Sequence, residues 1–439
     1  MARREPETAR IRAVTHEGQG IADLPGKTVF VAGALIGEEV RFQRRKKRRN
    51  YDEAELLEVL EPSASRIAPR CEAFGRCGGC VMQHVSADEQ RALKSQALKD
   101  NLERIGKVSP ENWLPPLTAG DGWNYRRRAR LAVKDVPGKG RVLVGFRERH
   151  SPYVTDMHRC EVLSEPLDSL IDSLSELVAE LSIRRRLPQI EIAVADNATE
   201  LVFRVLDPPS GDDVRALTAF GDKHGLRISL QPKGPDTVYS ISGHGEDDPL
   251  VYRLPDFDVE IAFKATDFVQ VNGAINEAMV ARAIELLDVD ESHRVLDLFC
   301  GIGNFTLPLA RRAAHVVGME GEERQVLRAR DNAERNGLGN VEFVASDLAA
   351  IDGTEAWLKD SWDRMLLDPA RSGAAEVVKH VPKLRPARIV YVSCHPGTLA
   401  RDAGQLVVEH GYHLEAAGII DMFPHTAHVE SIAVFAQKA

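Results

Sequence analysis

From about residue 263 onward, short β-branched runs alternate strictly with amphipathic stretches. Few folds accept that rhythm, because parallel strands need a crossover helix between them. The spacing predicts a helix over Asn276–Leu287, a strand from Arg294 into a Gly301-Ile302-Gly303 turn, and a helix over Thr306–Arg312. Strand His315–Glu320, helix Glu322–Asn336 and strand Val341–Ala345 follow, then strands at Asp363–Leu367 and Ile389–Val392. A doubly wound α/β sheet is expected over residues 263–439, with its ligand along the carboxyl ends of the strands.

The acids at those ends narrow the ligand. Gly301 and Gly303 let backbone pass close under it, but Thr306 stands where a dinucleotide fingerprint has its third glycine. The cradle for a pyrophosphate is therefore incomplete. Glu320, ending the second strand, suits a ribose diol, and Asp347, after the third, suits an adenine amino group. Asp297 precedes the turn. A cationic nucleoside without a pyrophosphate fits these acids, and S-adenosylmethionine is the expected cofactor.

The fifth strand ends in Ser393-Cys394-His395-Pro396-Gly397, with a helix expected to start at Thr398. A cysteine there is either a thiolate nucleophile or a small apolar filler. The fourth strand ends in Asp368-Pro369-Ala370-Arg371 rather than the Asp/Asn-Pro-Pro-aromatic run of amine methylation. Together these favour methylation at carbon 5 of a pyrimidine. That carbon becomes nucleophilic only after a thiolate adds at C6, and a base must then remove its proton. Asp421 and Glu430 are the carboxylates on offer, and Glu430, alone in an apolar strand, is preferred.

The front of the chain reads differently. The protein carries 57 Lys+Arg and 66 Asp+Glu, net −9. Residues 1–150 hold 29 basic and 20 acidic residues (+9), which leaves 28 basic and 46 acidic (−18) for the rest. Such asymmetry fits contact with a polyanion, or is only a set of solvated faces. Residues 8–61 show short alternating runs between Gly-rich turns, as in a small oligonucleotide-binding β-barrel. Inside it, Arg44–Arg49 is an unbroken basic run flanked by Phe42 and Tyr51, suited to phosphates and bases. In Trp123–Val133, Arg126, Arg128 and Arg130 would share one strand face as a basic ridge, or would guard a strand edge.

Three of six cysteines, Cys71, Cys77 and Cys80, fall within ten residues, and Cys160 is the candidate fourth ligand. Four thiolates suit an iron–sulfur cluster or structural zinc, and Cys77 with Cys80 could instead be a redox pair. Clustered spacing with one distant cysteine favours [4Fe–4S]. Ser86-Ala87-Asp88-Glu89 reads as a capping box opening a helix over residues 86–106. Residues 140–255 read as a mixed α+β region with one helical run, Pro166–Leu181, and no catalytic signature. No run reaches membrane-spanning length, and Met1-Ala2-Arg3-Arg4 opens no apolar leader, so a cytoplasmic location is expected.

Asp267-Phe268-Val269-Gln270-Val271-Asn272, Asp297–Thr306, Leu367–Arg371, Val392–Pro396 and His428-Val429-Glu430-Ser431 together resemble the RNA uracil-C5-methyltransferase family. Tyr125–Leu131 and Asp421–Thr426 match as well, and the barrel resembles a TRAM domain. The resemblance spans nearly the whole chain and is strongest to the branch acting on 23S ribosomal RNA. It implies a Rossmann-like class I methyltransferase domain over 263–439, a TRAM-like barrel over 1–62, and a central domain over 63–262 holding a [4Fe–4S] site. It also implies Cys394 as nucleophile, Glu430 as proton acceptor and Cys71, Cys77, Cys80 and Cys160 as cluster ligands. S-Adenosylmethionine contacts would be Gln270, Phe299, Asn304, Glu320, Asp347 and Asp368; the partner would be 23S ribosomal RNA, met by a monomer. One departure stands out: the family's usual asparagine after the nucleophile is His395 here.

Overall fold

The computed structural model describes residues 5–15, 17–24, 26–245 and 247–437. Met1–Arg4 of the expected leaderless start, and Pro25 of one expected barrel turn, lie outside these residues.

The alternating C-terminal pattern folds as an eight-stranded sheet. Its order is Val341–Ala345, His315–Glu320, Arg294–Leu298, Arg364–Leu367, Arg388–Ser393, Glu430–Gln437, Tyr412–Ile420 and the two-residue strand Asn112–Trp113. The first five are mutually parallel. Glu430–Gln437 is inserted antiparallel between Arg388–Ser393 and Tyr412–Ile420. One face packs on Gly273–Leu287 and its neighbours, the other on Ala375–Leu384 and Pro396–Gly404. With both faces covered, the central strands can be continuous Val, Ile and Leu.

Two upstream segments join this body. Ala87–Asn101 and its continuation Leu102–Gly106 bury Leu98 and Leu102 in the same core as Leu399 and Ala403. Gly106 and Gly404 meet so closely that a Cβ on Gly404 would stand 2.7 Å from Gly106 O. The hairpin Leu250–Leu254 and Val259–Phe263 shares its core with Gly273–Leu287. Ser86 begins the Ala87 helix, but its side chain caps nothing, correcting the capping-box reading. Its amide is already spent on Ser65 O at 2.9 Å, so no reciprocal bond from Glu89 is needed.

Between these parts lies a six-stranded sheet from Arg128–Val136 to Tyr239–Ser240, with helices Ile171–Glu180 and Gly211–His224. The second helix escaped the sequence reading. It carries two glycines, and Gly221 is needed because a Cβ there would meet Ile228 and Leu226 O at 2.8 Å. A Ser210–Asp213 capping box starts it.

At the front, six strands within residues 7–61 form one ladder. Glu7–Arg10 pairs with Glu39–Lys47, and three residues on Ala13–Val14 pairs with Gln19–Leu24. One broken segment thus touches both ends of the ladder and closes it around Ile11, Val31, Val40 and Phe42.

Two basic surfaces differ from expectation. The Arg44–Arg49 run is partly paired within the barrel, since residues 44–47 end a strand opposite an acidic one. Arg44 binds Glu7 and Asp52, Arg45 binds Glu55, and Arg48 binds Glu53. Nor do Arg126, Arg128 and Arg130 form a ridge. Arg128 is turned inward to Ala265 O, Arg126 bonds Arg128 O at 3.0 Å, and exposed Arg130 pairs with Glu191. Among the described residues, no helix is long and apolar enough to cross a membrane.

Candidate active site

The antiparallel insertion decides which groups meet. Ser393 pairs with Ser431, and the Ser431 hydroxyl donates to Ser393 O at 3.2 Å. One residue beyond that pair on each strand, Cys394 and Glu430 come near each other at the carboxyl edge of the parallel strands, close enough for the Glu430 charge to act on the Cys394 thiol. Asp368, one residue past its own strand, completes the group, and both carboxyls act on Cys394.

Burial, then Glu430 and Asp368, push the Cys394 thiol up to about 11. Burial, then Asp368, push the Glu430 carboxyl up to about 8. Burial pushes Asp368 up to about 7. Arg371 opposes these shifts at both Cys394 and Glu430. Asp421, the other carboxylate the sequence offered as base, is occupied elsewhere by the Lys94 ammonium at 2.7 Å.

His395 turns out to be a cap. It is the N-cap of Pro396–Gly404, and its Nδ1 accepts from the Thr398 amide at 3.2 Å. Asparagine fills the same role at helix starts, so the exchange preserves the turn that presents Cys394. The helix begins two residues earlier than expected because proline suits the first helical position.

Toward the Gly301 turn, Glu320 accepts from the Gly301 amide at 3.2 Å and the Glu322 amide at 3.0 Å. Phe299 adopts φ 68°, a left-handed conformation rare for an aromatic residue, next to Gly301 and Gly303 with φ 56° and 98°. Asp297 is fully buried, takes the Thr306 hydroxyl at 2.6 Å, and has an Oδ1 with no partner. Burial, then Asp368 and Glu320, raise it to about 8. Asp297, Glu320 and Asp368 are thus close enough for the last two to act on the first. Asp347 is exposed after its strand and caps the Ala349 amide. Cys300 is buried against Gly318, a packing role.

Asn304 sits in a network the sequence did not reveal. Its Oδ1 accepts from Tyr252 and Asn276, and its Nδ2 donates to Asn276, all at 2.9 Å. Gln270 lines a small cavity with Tyr252 and Asn276 rather than standing with Glu320. Tyr252 lies in a stretch of ordinary strand composition, where no local signal marks it.

The cysteines form a second centre. Cys71, Cys77, Cys80 and Cys160 are all free and line one cavity of about 240 Å³. Burial raises all four thiols, Cys80 to about 11 and Cys160 to about 12. Among the described residues, no group of three or more His, Cys, Asp or Glu is placed to hold a metal ion. The cavity adjoins the Cys394 cleft, because Gly78, Gly79, Thr426 and His428 line both.

Comparison with known proteins decides the family. The model of the tRNA (uracil-5-)-methyltransferase family matches residues 124–438. The chain belongs to this family of RNA uracil-C5-methyltransferases. It is 51% identical over 440 residues to the 23S rRNA (uracil(1939)-C(5))-methyltransferase RlmD of Alkalilimnicola ehrlichii, covering 99% of this chain and 98% of that protein. It is 48% identical over 438 residues to the same-named protein of Stenotrophomonas maltophilia, with 99% and 98% covered. Among solved structures, the Pyrococcus abyssi tRNA (uracil-54, C5)-methyltransferase in complex with S-adenosyl-L-homocysteine superposes with a TM-score of 0.75. At 23% identity over 98% of this chain and all of that one, it shares the fold. This uracil-C5-methyltransferase is thus an S-adenosylmethionine-dependent enzyme with the class I sheet.

Proposed function

We propose that the enzyme forms 5-methyluridine in 23S ribosomal RNA, at the uridine its relatives name as 1939. The observation that carries the chemistry is the nearness of Cys394 and Glu430, each one residue past the Ser393–Ser431 pair on adjoining strands. Cys394, as thiolate, adds to uracil C6, and the electron pair moves to C5 and its conjugated carbonyl. C5 then takes the sulfonium methyl group. Glu430 accepts the C5 proton, the C5–C6 double bond reforms and the thiolate leaves. Asp297, Glu320 and Asp368 hold the cationic cofactor by charge, with Phe299 and Asp347 flanking it and Asn304 and Gln270 bracing the far side. A base inside folded RNA must be flipped out to reach this cleft. Cys394→Ala is expected to abolish turnover while S-adenosylhomocysteine still binds. Glu430→Gln is expected to accumulate a covalent RNA adduct on denaturing gels; adduct-free Glu430→Gln protein would refute the assignment of the base.

The four-cysteine cavity supports a [4Fe–4S] reading. What supports it is the spacing, three clustered cysteines and a distant fourth, with all four on the wall of one cavity. Cys71, Cys77, Cys80 and Cys160 would hold it. Such a group could supply an electron, which methyl transfer does not use. Here those residues serve to fix Gly78 and Gly79 along the cleft. Protein purified without air is expected to carry about four irons per chain, and stoichiometric zinc would refute this reading.

A further inference from the structure

The wall between the two centres contains one unusual contact. The Arg371 guanidinium donates from Nη2 to His428 Nδ1 at 3.1 Å. Arg371 and His428 both line the cleft that holds Cys394, and His428 also lines the cysteine cavity. Among the described residues, His428 is the sole side chain hydrogen-bonded to that guanidinium, although the Glu430 and Asp368 carboxyls lie in the same site.

The surroundings explain the choice of a histidine. Burial, then Arg371, Arg126 and Lys94, disfavour the imidazolium. The ring is therefore neutral, its Nδ1 lone pair is free to accept, and its proton sits on Nε2. The Phe423 ring, 5.2 Å away, and a bond from the His428 amide to the Thr426 hydroxyl at 3.2 Å hold it in place. A carboxylate in this position would also anchor Arg371, but it would cancel the positive charge. A neutral acceptor holds the cation and leaves its charge available.

That charge has a use. The groups acting on Cys394 are Glu430 and Asp368, which oppose ionisation, and Arg371, which favours it. Glu17 also lines the cleft, and the His395 ring is turned to the Thr398 amide. Arg371 rises from a turn on a long flexible chain, so its placement depends on what it binds.

We propose that His428 is a positioning residue that holds the Arg371 guanidinium, with its charge intact, beside Cys394 and Glu430, and thereby sets how readily the thiolate forms. This rests on Cys394 being the nucleophile. The test is alkylation of Cys394 by iodoacetamide in the full-length protein as purified, followed by peptide mass against pH.

His428→Phe keeps the ring and loses the acceptor. It is expected to raise the alkylation midpoint by about one pH unit, a roughly tenfold loss of rate below the midpoint. His428→Asn, which keeps an acceptor at similar reach, should restore most of that loss. Arg371→Met should reproduce the shift, and His428→Phe added to it should shift nothing further. S-Adenosylhomocysteine binding verifies folding, and His428→Leu replaces the Phe variant if that one does not bind. An unshifted midpoint in the acceptor-less variant, or a shift that adds to that of Arg371→Met, overturns the proposal. Turnover by Cys394→Ala would instead overturn the nucleophile assignment, and leaves the thiol titration readable.

Discussion

Lys94 and Asp421 form an ion pair at 2.7 Å with the ammonium 2% and the carboxylate 9% exposed. Lys94 also donates to Phe423 O at 2.9 Å. It lies on the Ala87–Asn101 helix, and Asp421 directly follows the Tyr412–Ile420 strand, so one bond ties a distant helix to the loop leading to Glu430. Lys94→Met removes the cation and strands a buried carboxylate and a carbonyl. It is expected to cost about 3–5 kcal/mol in urea unfolding. Replacing both partners, Lys94→Met with Asp421→Leu, should recover most of that, because two matched apolar groups need no desolvation. Equal losses in the single and double variants would show the pair to be incidental.

Glu430 gives the pH dependence. Its folded carboxyl titrates at about 8, against an ordinary value of 4.5. Below about 4.5 it is neutral in both folded and unfolded chains and contributes no pH dependence. Between 4.5 and about 8 the unfolded chain ionises and the folded one resists, so stability falls as pH rises. Asp368 and Asp297, raised to about 7 and 8, act in the same direction. Glu430→Gln removes one of these penalties. Its melting temperature should match the wild type near pH 4, exceed it increasingly to pH 8, and hold a constant gap above. Single-turnover methylation by the wild type should rise with pH through about 8, as the base ionises. A gap that narrows with pH would contradict the buried acid.

Much of the catalytic body was legible because its signals are local. Strand–helix alternation marks a doubly wound sheet wherever it occurs, and glycines and acids at strand ends mark what the sheet can bind. Cys394 and Glu430 could each be picked out, but their nearness depends on the antiparallel insertion of Glu430–Gln437, a pairing between distant segments. For the same reason Asp421 remained a rival base until Lys94 was seen to occupy it. The ion pairs of the basic run were not legible because its partners, Asp52, Glu53 and Glu55, lie across a strand pair whose register is not a local property of the sequence. Tyr252 was missed because it is an ordinary strand tyrosine, and the Gly211–His224 helix because its two glycines masked a start that the Ser210–Asp213 capping box does mark.

His395 accounts for the chain's departure from its family at the nucleophile turn. Its Nδ1 takes the Thr398 amide, one of the unpaired donors at the helix start. His395→Ala should lose about 1 kcal/mol of stability, and His395→Asn should lose little or none. Both should retain Cys394-dependent adduct formation, since the histidine serves the backbone and not the uracil. If the asparagine variant were as unstable as the alanine one, capping would not be its role.

The barrel separates two kinds of basic residue, and RNA binding should separate them too. Arg44 is 15% exposed and bonds Asp52, which is 1% exposed and shared with Lys27. Burial pushes the Asp52 carboxyl up, but Lys27 and Arg44 outweigh it and hold it down at about 2. Arg44→Gln should therefore weaken the fold by roughly 1–3 kcal/mol, through a buried acid left half-paired. Lys47 and Arg49 are exposed and lie at the far end of the same run. If they meet phosphates, Lys47→Gln with Arg49→Gln should leave the unfolding midpoint unchanged. The slope of log binding constant against log salt should fall by about 1.4–1.8, or 0.7–0.9 per lost contact. An unchanged slope would take this end of the barrel off the RNA and leave the run with the structural role already visible in Arg44.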